Sequence, residues 1–461
     1  MKLKYLCLIL LLLVSINLFS CSNKKDIVIE KGSELTVLPG VEFDYDNSIF
    51  DDFSKGVNSD YWYIADQAWG GSNGGVIPEN VSYTDDGILQ LRGNGGYYQQ
   101  GEVKGVGDVK DGRYTGAVLI SKFLTGPGRY EVKMKVLPRL GACTAFWTFA
   151  YEFDQELNHE IDIELPGGNQ SGVPTFANIL NTNYIKETRA QSQDTKVSSL
   201  YGDNELYLND GQWHTFGFDW YTDPEKIVYY IDGVVCAVSD IFIPNLQTRL
   251  WFGVWFPVAS AFVGHAEFES DYMLVDYVKY VPFKDQPYVE YTPSPNGFAS
   301  INEYPTIAQT QKSINKIANG TFEYLNDLNK NISGWKLERY LDEDKEVEQV
   351  CFIQDGIGFE NSKGLTIIDG GVATQKIDAV YNKFNHQLTF MAKGKGTMTV
   401  YYHSTDTMQS LKTVTVDVDS SELKLYSVDL IAPENSQTME IQFDTFNGST
   451  IYIDNVELYL K

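Results

Sequence analysis

Short runs in which apolar and polar residues alternate recur along most of this chain, separated by clusters of Gly, Pro, Asn and Asp. A period of two places successive side chains on opposite faces of an extended strand, so each run predicts a strand with one face toward a core. The runs fall into two groups, over residues 40–283 and 318–461. Between them, Pro287, Pro293, Pro295 and Pro305 with Ser, Asn and Gly predict a linker over residues 284–317, partly packed on the first group. The expected class is all-β, with two units of sandwich type.

One run carries chemistry. Glu160-Ile161-Asp162-Ile163-Glu164 sets three carboxylates at every second position, and on a strand all three share one face. The outer backbones lie about 13 Å apart at about 3.3 Å per residue, and two Glu side chains leaning inward on a concave sheet bring their carboxyls to about 5–5.5 Å. Like charges this close raise one another's pKa, so one group holds a proton near neutrality. A protonated Glu beside an ionised one is an acid beside a nucleophile. The bland alternative is a solvated acidic strand face. Apolar Ile161, Ile163 and Leu165 argue against it by placing the other face in a core, and Pro166-Gly167-Gly168 stops the strand.

These residues and their surroundings resemble glycoside hydrolase family 16. The resemblance is carried by the acidic strand, by Gly128-Arg129-Tyr130-Glu131-Val132-Lys133-Met134-Lys135 and Ala145-Phe146-Trp147 before it, and by Trp213 to Trp220, Tyr230-Ile231-Asp232-Gly233 and Val275-Asp276-Tyr277-Val278 after it. It spans Phe43 to Phe283 and implies a concanavalin-like jelly-roll β-sandwich, with Glu160 as nucleophile, Glu164 as general acid/base and Asp162 tuning Glu160. No extra residue interrupts the acidic strand, a form that resembles lichenases and xyloglucan-active members. Leu165-Pro166-Gly167-Gly168 departs from the lichenase pattern, in which an aromatic residue, Leu and Gly are usual. No cofactor is implied for catalysis.

A sugar polymer needs aromatic plates for the apolar faces of its rings. Tyr61 to Tyr63, Trp69, Tyr97-Tyr98, Trp147, Trp251 and Trp255 are candidates, and for any one of them core packing is the competing role. The resemblance selects Trp147, Trp251 and, less directly, Trp255 as substrate-binding, with Asn181 as the polar residue opposite the nucleophile. His265, in a loop-like stretch, is added as a substrate contact. His159 should point away from the acids and be structural.

Composition agrees with this. The chain has 461 residues and a formal net charge of -26, which argues against nucleic acid or an anionic membrane surface as main partner and suits a neutral polysaccharide. Residues 1–20 read as a lipoprotein signal peptide, because Lys2 and Lys4 precede an apolar stretch too short to span a membrane comfortably. Leu18-Phe19-Ser20-Cys21 resembles a bacterial lipobox, predicting a lipid on Cys21 and a tether over residues 21–39. An ordinary secretory signal with an incidental Cys21 is the alternative. The expected location is the bacterial envelope, lipid-anchored at the outer membrane surface, and the expected state is a monomer. Cys143, Cys236 and Cys351 have no metal-ligand spacing and read as buried thiols, with a Cys143 to Cys236 disulfide as the alternative.

In the second unit, Asn319-Gly320-Thr321-Phe322-Glu323, Ala373 to Lys376 and Tyr452 to Leu458 resemble carbohydrate-binding modules of the family 4 type and their galactose-binding-like relatives. That resemblance implies a second, smaller β-sandwich and a structural calcium held by Glu323 and Asp454, a hydrogen-bonded pair across the first and last strands being the alternative. Trp335, Tyr340, Tyr401 and Tyr402 are either glycan plates or core.

The function expected from the whole is a retaining endo-β-glycanase acting on β-1,3- or mixed-linkage β-1,3-1,4-glucan. An endo-β-galactanase acting on agar-like polymers or mucin-type O-glycans is the runner-up, and a surface lipoprotein that binds glycan without cutting it is the reading from another class.

Overall fold

The architecture comes from a computed structural model of the chain. It describes residues 29–30, 32–69, 71–99, 105–106, 111–152, 157–166, 177–184, 195–197, 199–201, 204–205, 211–293, 315–323, 332, 334–339, 349–377, 385–404, 410–434, 436 and 438–460. The strands of the first unit are β1 (Ile49–Asp51), β2 (Trp62–Ile64), β3 (Val81–Tyr83), β4 (Leu89–Asn94), β5 (Ala117–Ser121), β6 (Gly128–Lys135), β7 (Cys143–Glu152), β8 (Leu157–Pro166), β9 (Ala177–Tyr184), β10 (Thr195–Val197), β11 (Ser199–Tyr201), β12 (Asn204–Glu205), β13 (His214–Thr222), β14 (Glu225–Ile231), β15 (Val234–Ser239), β16 (Arg249–Trp255) and β17 (Ser270–Pro282).

Two antiparallel sheets pack face to face as a jelly-roll sandwich. One runs β15-β14-β13-β6-β17-β4-β3 with β1 beside β17, and the other runs β10-β9-β8-β7-β16-β5-β2. Alternation explains the layering. Tyr130, Val132 and Met134 of β6 meet Phe146 of β7 and Ile161, Ile163 and Leu165 of β8 in one buried core. The opposite face of the β8 sheet carries the acids. No helix among the described residues is long and apolar enough to cross a membrane.

The second unit is a β-sandwich of β18 (Lys336–Arg339), β19 (Cys351–Gln354), β20 (Gly364–Ile368), β21 (Gly371–Ile377), β22 (Asn385–His403), β23 (Ser410–Ile431), β24 (Thr438–Asp444) and β25 (Thr450–Leu460). The long strands β22 and β23 serve both layers, the first part of β22 pairing with β25 and its last part with β24. Trp335 and Tyr402 belong to this core, so neither is an exposed plate.

One boundary differs from expectation. The segment expected as tether up to residue 39 lies on the first unit from Ile29 onward, because Ile29, Leu35, Val37 and Leu38 cover Tyr221, Val228 and Val235. Leu35 N–H donates to Gly233 O at 2.8 Å, which adds this segment beside the β14–β15 hairpin. Cys21 lies outside the described residues. The first residues of the linker pack on the first unit, since Val289 N–H donates to Asn245 O and Gln286 Oε1 accepts from Thr222 N–H.

The two units meet at a buried ion cluster. Asp271 of β17 accepts from Arg139 Nε at 2.9 Å and from Lys316 Nζ at 2.5 Å, and Glu269 accepts from Asn319 N–H at 3.0 Å. Burial alone would raise the Asp271 carboxyl, but Lys316 and Arg139 outweigh it and hold it below the usual range. Cys143, Cys236 and Cys351 are buried free thiols, so no disulfide joins Cys143 to Cys236.

Candidate active site

The acidic strand sits on the open face of its sheet. Ile161, Ile163 and Leu165 are at most 1% exposed in the core, which by parity turns Asn158, Glu160, Asp162 and Glu164 toward solvent. Register then lines up the neighbouring strands. Trp147 of β7 lies opposite Asp162, and Trp251 of β16 lies opposite Trp147, so an aromatic row runs across the strands from the acids. The next row is Glu164, Ala145 and Gly253, and the one beyond is Pro166, Cys143 and Trp255. Gly253 is required there, because at φ 154° an added Cβ would lie 2.1 Å from Ala117 O. Small residues therefore floor a trough between Trp251 and Trp255.

Glu160, Asp162, Glu164, Ala145, Trp147, Trp251 and Trp255 line a cleft of about 490 Å³ together with Gln67, Trp69, Phe149 and Asn158. Trp147 and Trp251 have ring centroids 5.5 Å apart, Trp69 and Trp255 also 5.5 Å, and Phe149 meets Trp251 edge to face at 5.8 Å. Such a surface offers apolar plates to sugar rings and indole edges to hydroxyls.

Electrostatics concentrate on Glu160. Burial and the adjacent Glu164 push its carboxyl up to about 7, while hydrogen bonds from Asn158 and Asp162 oppose the rise. Asn158 Nδ2 donates to Glu160 Oε2 at 3.3 Å. A hydrogen bond between the Glu160 and Asp162 carboxyls requires a proton on one of them, so the cluster holds a proton near neutrality and titrates as a group. The Asn158 donor favours the form in which Glu160 is the anion. His159 faces the core, where burial pushes its imidazole down to about 4 and keeps it neutral.

The structure brings together Glu160, Asp162, Glu164, Trp147, Trp251 and Trp255. His265 is not in that group and lines a separate hollow. Asn181 lies on β9, where the register pairs it with Ile161 and pairs Thr182 with Glu160; its side chain lies outside the described ones. Tyr340 lies outside the described residues. Asn158, Gln67 and Phe149 are cleft residues that the sequence did not single out, and Trp69 is a candidate plate that it did not select as substrate-binding. Parity alone could have found Asn158, two positions before Glu160. Gln67 and Trp69 come from the loop after β2, which no local pattern places.

For calcium, Asp454 has one oxygen, Oδ2, accepting from Phe359 N–H and Ser362 Oγ, each at 2.8 Å. Its Oδ1 is buried without a hydrogen-bond partner, and Glu323 is near enough to raise its carboxyl, after burial. A cation fits that orphaned oxygen. Among the described residues no group of three or more His, Cys, Asp or Glu side chains converges on a metal position.

Residues 78–255 match the profile of the family described as Glycosyl hydrolases family 16. The chain carries a family 16 glycosyl hydrolase domain. The family 16 domain is 29% identical over 203 residues to a β-glucanase of Paenibacillus macerans, covering 43% of this chain and 72% of that protein. It is 28% identical over 216 residues to a β-glucanase of Bacillus subtilis (strain 168), covering 45% and 74%. A xylanase/β-glucanase of Ruminococcus flavefaciens is 29% identical over 177 residues, 37% of this chain but 20% of that much longer protein. The solved Bacillus licheniformis β-glucanase aligns over 51% of this chain and 99% of its own, at 22% identity and a TM-score of 0.39. The protein is an endo-acting, retaining glycoside hydrolase of the family 16 type.

Proposed function

We propose that the enzyme hydrolyses β-1,3-1,4- or β-1,3-glucan by double displacement at Glu160 and Glu164. The observation that carries this reading is the pair of carboxylates on one strand, flanked by Asp162 and an aromatic floor, in a domain whose curated relatives include β-glucanases. In the first step the Glu160 carboxylate attacks the anomeric carbon as its bond to the leaving oxygen breaks, and the Glu164 proton passes to that oxygen. In the second, Glu164 takes a proton from water, which attacks the same carbon and breaks the ester to Glu160. Two inversions return the starting configuration. Asp162 orients Glu160 and shares its proton.

The Leu165-Pro166-Gly167 departure after Glu164 supports a second reading, in which the same chemistry cuts a β-galactan or a mucin-type O-glycan. A soluble form beginning at Ser22 is assayed against laminarin, barley β-glucan, xyloglucan, agarose, porphyran and mucin O-glycans, with product sizes read by chromatography. Oligosaccharides from a β-glucan are expected. Cleavage confined to agar-type polymers or mucin would overturn the glucan reading and keep the mechanism. Proton NMR of the first product should show the β-anomer before mutarotation, and an initial α-anomer would sink the double displacement.

Lipid attachment at Cys21, and hence residence at a bacterial outer surface, belongs to the same proposal. It is supported by the lipobox-like Leu18-Phe19-Ser20-Cys21, and a Cys21→Ala variant is expected to leave the membrane fraction. Calcium at Glu323 and Asp454 is a further part, supported by the orphaned Asp454 Oδ1. A glycan-binding role for the second unit rests on its sequence resemblance alone.

A further inference from the structure

The hollow that takes His265 lies beside the cleft, and three chain segments lead to it from the cleft in the same order. Past Trp255 on β16 comes Pro257, before Cys143 on β7 comes Gly141, and past Trp69 comes Asn73. Ser72 bridges to Pro257, and Asn73 N–H donates to Phe256 O, so a low backbone ridge divides the two depressions. The hollow is therefore displaced along the strands, toward the end nearer Glu164.

That direction decides what can enter it. The nucleophile and the acid must reach the reacting centre from opposite sides of the scissile bond. Both stand on β8 with Asp162 between them, so the line joining them follows the strand and the polymer axis crosses it. The aromatic row Asp162, Trp147, Trp251 crosses the strands in the same sense. A hollow displaced along the strands is off the polymer axis. The main chain would pass it by, which leaves it to a substituent on a ring bound over Ala145 and Gly253.

We propose that this hollow, of about 420 Å³, is a binding pocket for a neutral sugar branch carried by the β-glucan main chain, an inference that rests on the glucanase reading above. Its volume lies in the range of about 300–1,000 Å³ over which small-molecule sites are built. Tyr97 and Tyr114 supply the ring faces, and Asn73, His265 and Glu267 supply donors and acceptors for hydroxyls. Burial, with Glu267 and Tyr114 adding to it, pushes the Tyr97 hydroxyl up to about 12, so it stays a neutral donor. The Glu267 carboxylate beside two phenols disfavours a sulfated or uronic substituent and admits an uncharged hexose.

The test compares a linear β-1,3-glucan oligosaccharide with one carrying a single β-1,6-linked glucose, using the enzyme, Tyr97→Ala and Val258→Trp. Val258 lines the hollow and is exposed, so tryptophan there fills the space without entering the core. Both variants are expected to lose about tenfold in kcat/KM on the branched substrate while keeping the rate on the linear one. Affinity of Glu160→Gln for the two oligosaccharides gives the second readout, with the branched one favoured. Equal losses on both substrates, or no loss on either, would overturn the pocket while linear hydrolysis by the unaltered enzyme upholds the glucanase. Failure of the unaltered enzyme to cut the linear glucan, with no binding of either oligosaccharide to Glu160→Gln, would overturn both.

Discussion

Replacing Glu160 by glutamine tests the electrostatic account of the site through stability, independently of any substrate. Burial and the Glu164 charge hold the Glu160 carboxyl at about 7 in place of its ordinary 4.5. That displacement corresponds to about 3 kcal/mol between the protonated and ionised forms. The folded value lies above the unfolded one, so between them the native state binds the proton that the unfolded chain has lost. Stability contributed by this group is complete below pH 4.5 and is lost as pH rises through about 7. Glutamine keeps the shape and cannot ionise. Glu160→Gln is expected to match the wild type near pH 4.5 and to exceed it by up to about 3 kcal/mol near pH 8, water in the open cleft reducing the gain. Urea unfolding followed by tryptophan fluorescence at about pH 4.5, 6 and 8 measures this, with the transition of the catalytic unit resolved from that of the second unit. A difference that is the same at all three pH values, or that shrinks as pH rises, would refute the reasoning.

Turnover requires one proton on the carboxyl cluster, so kcat is expected to decline as pH rises through about 7; a flat profile to about pH 9 would contradict the shared proton. Asn158→Ala removes the 3.3 Å donor to Glu160 and should lower kcat about tenfold with little change in KM, a charge-assisted hydrogen bond being worth about 1.5 kcal/mol. The pH at which the carboxyls take up their proton should rise in the same variant, which a packing defect would not produce. Asp271→Ala leaves Arg139 and Lys316 buried without their shared carboxylate, and is expected to cost about 3–5 kcal/mol at the junction. Limited proteolysis between residues 292 and 315 should accelerate in that variant, and an unchanged cleavage rate would show that the cluster does not hold the units together. Calcium is expected to raise the melting temperature of the second unit and Asp454→Asn to abolish the rise, so a melting temperature indifferent to chelator would exclude the metal.

What the chain carries locally is parity. Glu160, Asp162 and Glu164 share a face, and Ile161, Ile163 and Leu165 the other, because strand geometry turns successive residues to opposite sides whatever the partners are. His159 as a buried neutral residue follows from the same rule, and so would Asn158. The division into two β-units is legible for a similar reason, since Pro-rich and alternating stretches differ in composition along the chain. The tertiary structure decides everything that depends on register and on the path of loops. Pairing sets Trp251 opposite Trp147 and leaves Ala145 and Gly253 as a trough, while the loop after β2 delivers Gln67 and Trp69 from far away in sequence. The segment after Trp255 carries His265 over a ridge and out of the cleft, and Ile29 to Leu38 leave the expected tether to cover an apolar edge. These contacts join residues tens to hundreds of positions apart, and their free energy comes from burial between whole sheets. No window of sequence contains it.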